Sequence, residues 1–170
     1  MKIPIKKILL ILAINNTCSL AASTSVEITG EIFAEPCKFT NNNSELKINL
    51  GNNIFSTSLA SAGSGSQPIP FKLELTECPL GVSHVTATFN GNPDNNIPTM
   101  YKNIGDATNL AIEVSDITTG KIIGNNESIT QPIDINRSVT YLLSSRVYTE
   151  KGNVNPGSIN SLVQVTFTYN

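Results

Sequence analysis

The chain closes on "VQVTFTYN", residues 163–170. Val163, Val165, Phe167 and Tyr169 alternate with Gln164, Thr166, Thr168 and Asn170. That is the period-2 pattern of a strand with one buried and one wet face. A single residue follows the last apolar one. The pattern therefore predicts a core strand whose next neighbour does not come from further along the chain.

At the other end, Lys2, Lys6 and Lys7 precede the apolar run Ile8–Ile14, which is too short to span a bilayer as a helix. Ser19-Leu20-Ala21 then places small residues before Ala22, and residues 1–21 read as a secretory signal peptide cut after Ala21. Cleavage leaves 149 of the 170 residues and removes three lysines and no acid, taking the net charge from −2 to −5. A domain of this size that is acidic and has no basic run argues against nucleic acid and anionic membrane surfaces. No other segment is apolar for long enough to cross a membrane as a helix. Cys18 leaves with the leader, and the remaining pair, Cys37 and Cys78, predicts one disulfide in a secreted chain. It would close a loop of about 42 residues, worth ~4 kcal/mol by chain entropy.

Between these ends, strand patterns dominate. They fall at 26–33, 45–50, 70–75, 84–90, 110–116, 121–123, 129–135, 139–149 and 162–169. Val85, Ala87 and Phe89 form one inward set, and Leu110, Ile112 and Val114 another. Asn- and Gly-rich turns separate them, and no stretch carries a capped helical period. Short strands with frequent turns predict an all-β sandwich. Residues 57–67, "TSLASAGSGSQ", read as a long connection crossing between the two sheets.

Chemistry is hard to place on this chain. His84 is the one histidine, and no nucleophile elbow, zinc spacing, calcium loop or phosphate loop accompanies it. No catalytic site, cofactor or metal is expected. The second unusual feature is instead N-terminal. After cleavage, Val26, Ile28, Gly30 and Ile32 alternate with Glu27, Thr29 and Glu31 ahead of Cys37. This strand either pairs with its own sandwich or fills the open edge of another copy, and the pattern alone leaves both open.

The stretches "VEITGEIFAEPC", "SAGSGS", "FKLELTECPLGVSHVTATFNG", "YKNIGDATNLAIEV" and "VQVTFTYN" together resemble pilins of the chaperone–usher class. The likeness is greatest to minor tip-adaptor subunits of type 1 fimbriae and covers essentially the whole chain. Its most specific part is C-terminal: Gly157, fourteenth from the end, then the alternating apolar row and penultimate Tyr169.

The resemblance implies an incomplete immunoglobulin-like β-sandwich lacking its last strand. Residues 22–34 would be an N-terminal donor-strand extension and 35–170 the pilin domain. Val26, Ile28, Gly30 and Ile32 would be the donor face. Val163, Val165, Phe167 and Tyr169, with Gly157 at the turn before them, would form the acceptor groove and meet the chaperone. Cys37 and Cys78 would make the family's disulfide. Thr24 departs from the apolar residue that would extend the donor face. The implied partners are a periplasmic chaperone, an outer-membrane usher and neighbouring subunits, including a tip adhesin, in a surface fimbria reached through the periplasm. A rod pilin or terminator is the alternative within the same fibre. A self-complemented, secreted carbohydrate-binding sandwich is the alternative outside it.

Overall fold

The computed structural model describes residues 27, 29, 30, 35–40 and 45–170. The chain divides into two compact units, Met1–Ile32 and Phe33–Asn170. The expected leader and most of the expected donor strand lie outside the described residues.

Among the described residues, the second unit carries eight strands: β1 (Lys38–Phe39), β2 (Ile69–Thr76), β3 (His84–Gly91), β4 (Tyr101–Lys102), β5 (Ala111–Asp116), β6 (Glu127–Pro132), β7 (Val139–Tyr148) and β8 (Val163–Tyr169). They form a five-stranded sheet in the order β1-β2-β7-β5-β4 and a three-stranded sheet in the order β6-β3-β8. Every pairing is antiparallel.

Side-chain alternation explains the layers. In β3, Val85, Ala87 and Phe89 turn inward and are buried, while Thr86 and Thr88 face out. Those outward hydroxyls reach Thr130 and Ser128 of β6 at 2.9 Å each, the cross-strand hydroxyl pairing that favours such residues on a wet face. In β7, Val139, Tyr141, Leu143, Ser145 and Val147 are buried and the residues between them are not. Tyr141 Oη donates to the Val85 carbonyl at 2.7 Å, linking the two sheets through the core. Tyr101 Oη donates to the Gly124 carbonyl at 3.0 Å, and burial pushes its phenol up to about 12. The Tyr101 ring lies flush against Gly91, where a Cβ would come within 2.8 Å of Cδ1 and Cε1.

Several sequence expectations change. Residues 45–50 alternate as a strand does, yet pair with no described strand. Residues 121–123 reduce to one bridge, Ile122 to Ser115. The expected strand at 129–135 starts two residues earlier and stops at Pro132, because Asp134 Oδ1 folds the following turn by accepting from the amides of Asn136 and Ser138. The 57–67 connection does not cross between sheets. It leaves and returns to the five-stranded sheet, since β1 and β2 pair directly. Within it, Ser56–Leu59 makes one 3-10 turn that buries Leu59, and Gly63 and Ser66 donate to the Thr149 and Val147 carbonyls beside the end of β7.

The expected disulfide is present. Cys37 and Cys78, both buried, join the start of β1 to the turn after β2 with Cα atoms 4.2 Å apart. A two-residue edge strand has few ladder hydrogen bonds of its own, so the covalent link is what secures it. Cys37→Ser is therefore expected to lower the yield of folded protein from an oxidising compartment several-fold. An undiminished yield on a non-reducing gel would show that β1 stays docked without the bond.

Candidate functional site: the open edge at β8

β8 lies at the edge of the three-stranded sheet. Gly91, Phe89, Ala87 and Val85 of β3 face Val163, Val165, Phe167 and Tyr169 in register. Val85, Ala87 and Phe89 are essentially sealed from solvent, whereas all four inward side chains of β8 are only half-buried. No described strand pairs with the second edge of β8. That edge offers a row of backbone N–H and C=O groups beside apolar side chains.

Opposite stands the five-stranded sheet, whose near edge is the short β1 followed by β2. Phe167 meets Phe39 of β1 edge-on, with ring centroids 5.6 Å apart, and tilts against Tyr141 at 6.2 Å. Tyr169 reaches the β1 end as well. Burial raises its phenol pKa, and a hydrogen bond from the Cys37 backbone pulls the other way. Beyond β1, no described strand pairs with the outer edge of β2. There Phe39, Phe71, Leu73 and the exposed Leu46 line a depression of about 480 Å³ whose rim carries Lys72 and Glu74.

The structure thus sets Val163, Val165, Phe167 and Tyr169 in one half-buried row on the inner face of β8, with Phe167 against Phe39 of the facing sheet. Gly157 stands apart from them, in the loop before β8. A Cβ on it would come within 2.4 Å of the Ala107 nitrogen and 2.6 Å of the Asp106 carbonyl carbon, so its place is set by close backbone packing. Of the expected donor face, Gly30 is described and belongs to the first unit, while Val26, Ile28 and Ile32 lie outside the described residues. Among the described residues, no group of three His, Cys, Asp or Glu side chains is placed to hold a metal.

One residue that sequence reasoning missed holds the loop that launches β8. Buried Asn103 donates through Nδ2 to the Ala107 and Ser158 carbonyls at 2.9 and 3.1 Å. Its Oδ1 accepts from the amides of Gly105 and Asn160 at 3.1 and 2.7 Å. An asparagine inside "YKNIGD" carries no periodic signal, and only the fold reveals that all four of its hydrogen-bonding positions are filled. Asn103→Ala leaves buried backbone groups unpaired, each costing about 1–3 kcal/mol. It is expected to lower the urea midpoint and to speed amide exchange at the start of β8, and unchanged exchange there would remove Asn103 from this role.

Residues 26–170 match the Fimbrial protein family. The chain is 33% identical to Protein FimG of Escherichia coli (strain K12) over 159 residues, covering 94% of this chain and 92% of FimG. It is 35% identical to the uncharacterized fimbrial-like protein YdeR of the same strain, over 88% of this chain and 86% of YdeR. Among solved structures, the P pilus rod subunit PapA superposes with a TM-score of 0.65 at 19% identity, covering 80% of this chain and all of PapA; this likeness speaks to the pilin fold, an immunoglobulin-like sandwich. A protein of this kind is a structural component of a surface fimbria rather than an enzyme, and its neighbours there are other subunits. The two-sheet sandwich with a free edge at β8, the Cys37–Cys78 disulfide and the match across residues 26–170 place this chain in the Fimbrial protein family.

Proposed function

We propose that this chain is a minor, tip-adaptor subunit of a type 1-like fimbria, linked to its neighbours by strand donation. The observation that carries the proposal is the half-buried apolar row of β8 beside an edge no described strand pairs with. A chaperone strand fills this edge in the periplasm, and at the outer-membrane usher the extension of the next subunit replaces it. Strand addition to a sheet edge is a general recognition mode of which pilin complementation is itself a standing example. Residues 1–21 are the leader, 22–34 the extension and 35–170 the pilin domain. Val26, Ile28, Gly30 and Ile32 form the donor face, and a tip adhesin is among the neighbours. The sequence likeness to tip adaptors favours the minor role over rod pilin.

Filling the cleft removes large side chains from water at about 1.5–3 kcal/mol each when burial is complete, and extends the β3–β8 ladder by one strand. Each link joins two different surfaces and leaves both ends open, so the product is a fibre and not a ring.

Co-expression with and without a type 1 pilus chaperone, followed by native mass spectrometry, tests the open edge. The expected result is a one-to-one complex, weakened by Tyr169→Ala, with the chain degraded or aggregated when alone. A stable monomer without chaperone would favour the self-closed sandwich. Ile28→Asp is expected to leave the chaperone complex intact while stopping strand donation. Normal incorporation of that variant into fibres, or a copy number matching the rod subunit, would overturn the donor face or the minor role respectively.

A further inference from the structure

The three most exposed large apolar side chains among the described residues are Ile135 (97%), Leu80 (84%) and Leu162 (79%). They lie at the two poles of the sandwich. Leu80 and Ile135 sit on adjacent loops, held together by the Cys78 amide on the Arg137 carbonyl and the Ile133 amide on the Ser83 carbonyl. The end of β8 is at this pole, because Asn170 exchanges hydrogen bonds with His84 and accepts from Ser83. Cys37 is here too, tied to Cys78. Leu162 opens β8 at the opposite pole, beside the exposed Ile104, whose amide donates to the Asn160 carbonyl. Seven residues of β8 separate the poles, a span of about 20 Å.

Scattered exposed apolar residues are ordinary, but a chain tether gives these two groups a shared address. Every strand pair in this fold is antiparallel. A donated strand laid antiparallel on β8 enters at the acceptor's Asn170 and ends near its Leu162. From Ile32, the last residue of the donor face, to Cys37 is five Cα steps, at most about 18 Å. The donor's Cys37 therefore stays near the acceptor's Leu162, and the donor's Cys37 pole is the one that bears Leu80 and Ile135.

We infer that, where one copy of this chain donates its strand to another, Leu80 and Ile135 of the donor pack against Ile104 and Leu162 of the acceptor, forming a second apolar contact at that junction. The inference rests on strand donation as proposed above. It gives the junction an angular preference that a flexible tether alone would lack.

The test uses the full chain bearing Ile135→Cys and Leu162→Cys, polymerised from its chaperone complex and treated with a short bismaleimide. The two new thiols stand at opposite poles, too far apart to join within one copy. Cross-linked ladders surviving heat and reductant, several-fold stronger than with Leu142→Cys replacing Ile135→Cys, are the expected result; Leu142 is exposed on the outer face of the five-stranded sheet. Strand-exchanged oligomers that give no such excess would overturn the contact alone. Failure to form oligomers at all would overturn strand donation between copies of this chain and the contact with it.

Discussion

The edge of β8, with which no described strand pairs, constrains the rest of the molecule. A sandwich is stable when each sheet seals the other, and here the seal is unequal. β3, flanked by β6 and β8, buries Val85, Ala87 and Phe89 completely, while its neighbour β8 leaves its own inward row half-covered. On the facing sheet, β1 is too short to close the gap. Its two residues supply Phe39 for Phe167, and the Cys37 backbone for Tyr169, and then the edge passes to β2, where Phe71 and Leu73 line an open depression.

Holding such an edge in register demands rigidity behind it. The loop leading into β8 is fixed by Asn103 and by the close approach of Gly157 to the backbone of residues 106 and 107. Behind the five-stranded sheet, Glu113 is buried on the outer face and is held by Arg146 through two bonds, at 3.0 and 2.8 Å. A bidentate pair of this kind satisfies a carboxylate that would otherwise be costly to cover. Arg146 in turn lies over the Tyr148 ring at 5.7 Å. These polar clamps sit away from the cleft, whose lining from β8 is apolar apart from the Tyr169 hydroxyl.

The long strands were legible because each obeys one rule over many residues. β3, β7 and β8 alternate apolar and polar positions throughout, and the pairing of Cys37 with Cys78 followed from there being two cysteines left after the leader. β1 and β4 were not legible, since two residues cannot display a period. Residues 45–50 misled for the converse reason: alternation reports a face that can be buried, not a partner that will pair with it. The half-buried apolar row of β8 was readable from "VQVTFTYN". The part played by Asn103, and the side of the cleft built from Phe39, Phe71 and Leu73, depend on contacts across long stretches of sequence that no local pattern encodes.

The same distances bear on the proposal that such a strand serves another molecule. Suppose residues 26–32 were laid antiparallel on the β8 of their own chain. The strand would end near Leu162, about 20 Å from Cys37, and the five steps available reach at most about 18 Å even without the reversal of direction required. A tether this short disfavours self-closure in the antiparallel orientation, and a parallel arrangement is slightly less stable per residue. A neighbouring copy faces no such limit, because its body lies beyond the Leu162 pole. The position of Cys37, fixed by its bond to Cys78 at the far end of β8, thereby tilts the balance from closure toward exchange. In the proposed assembly, completion of the fold would supply free energy for the link.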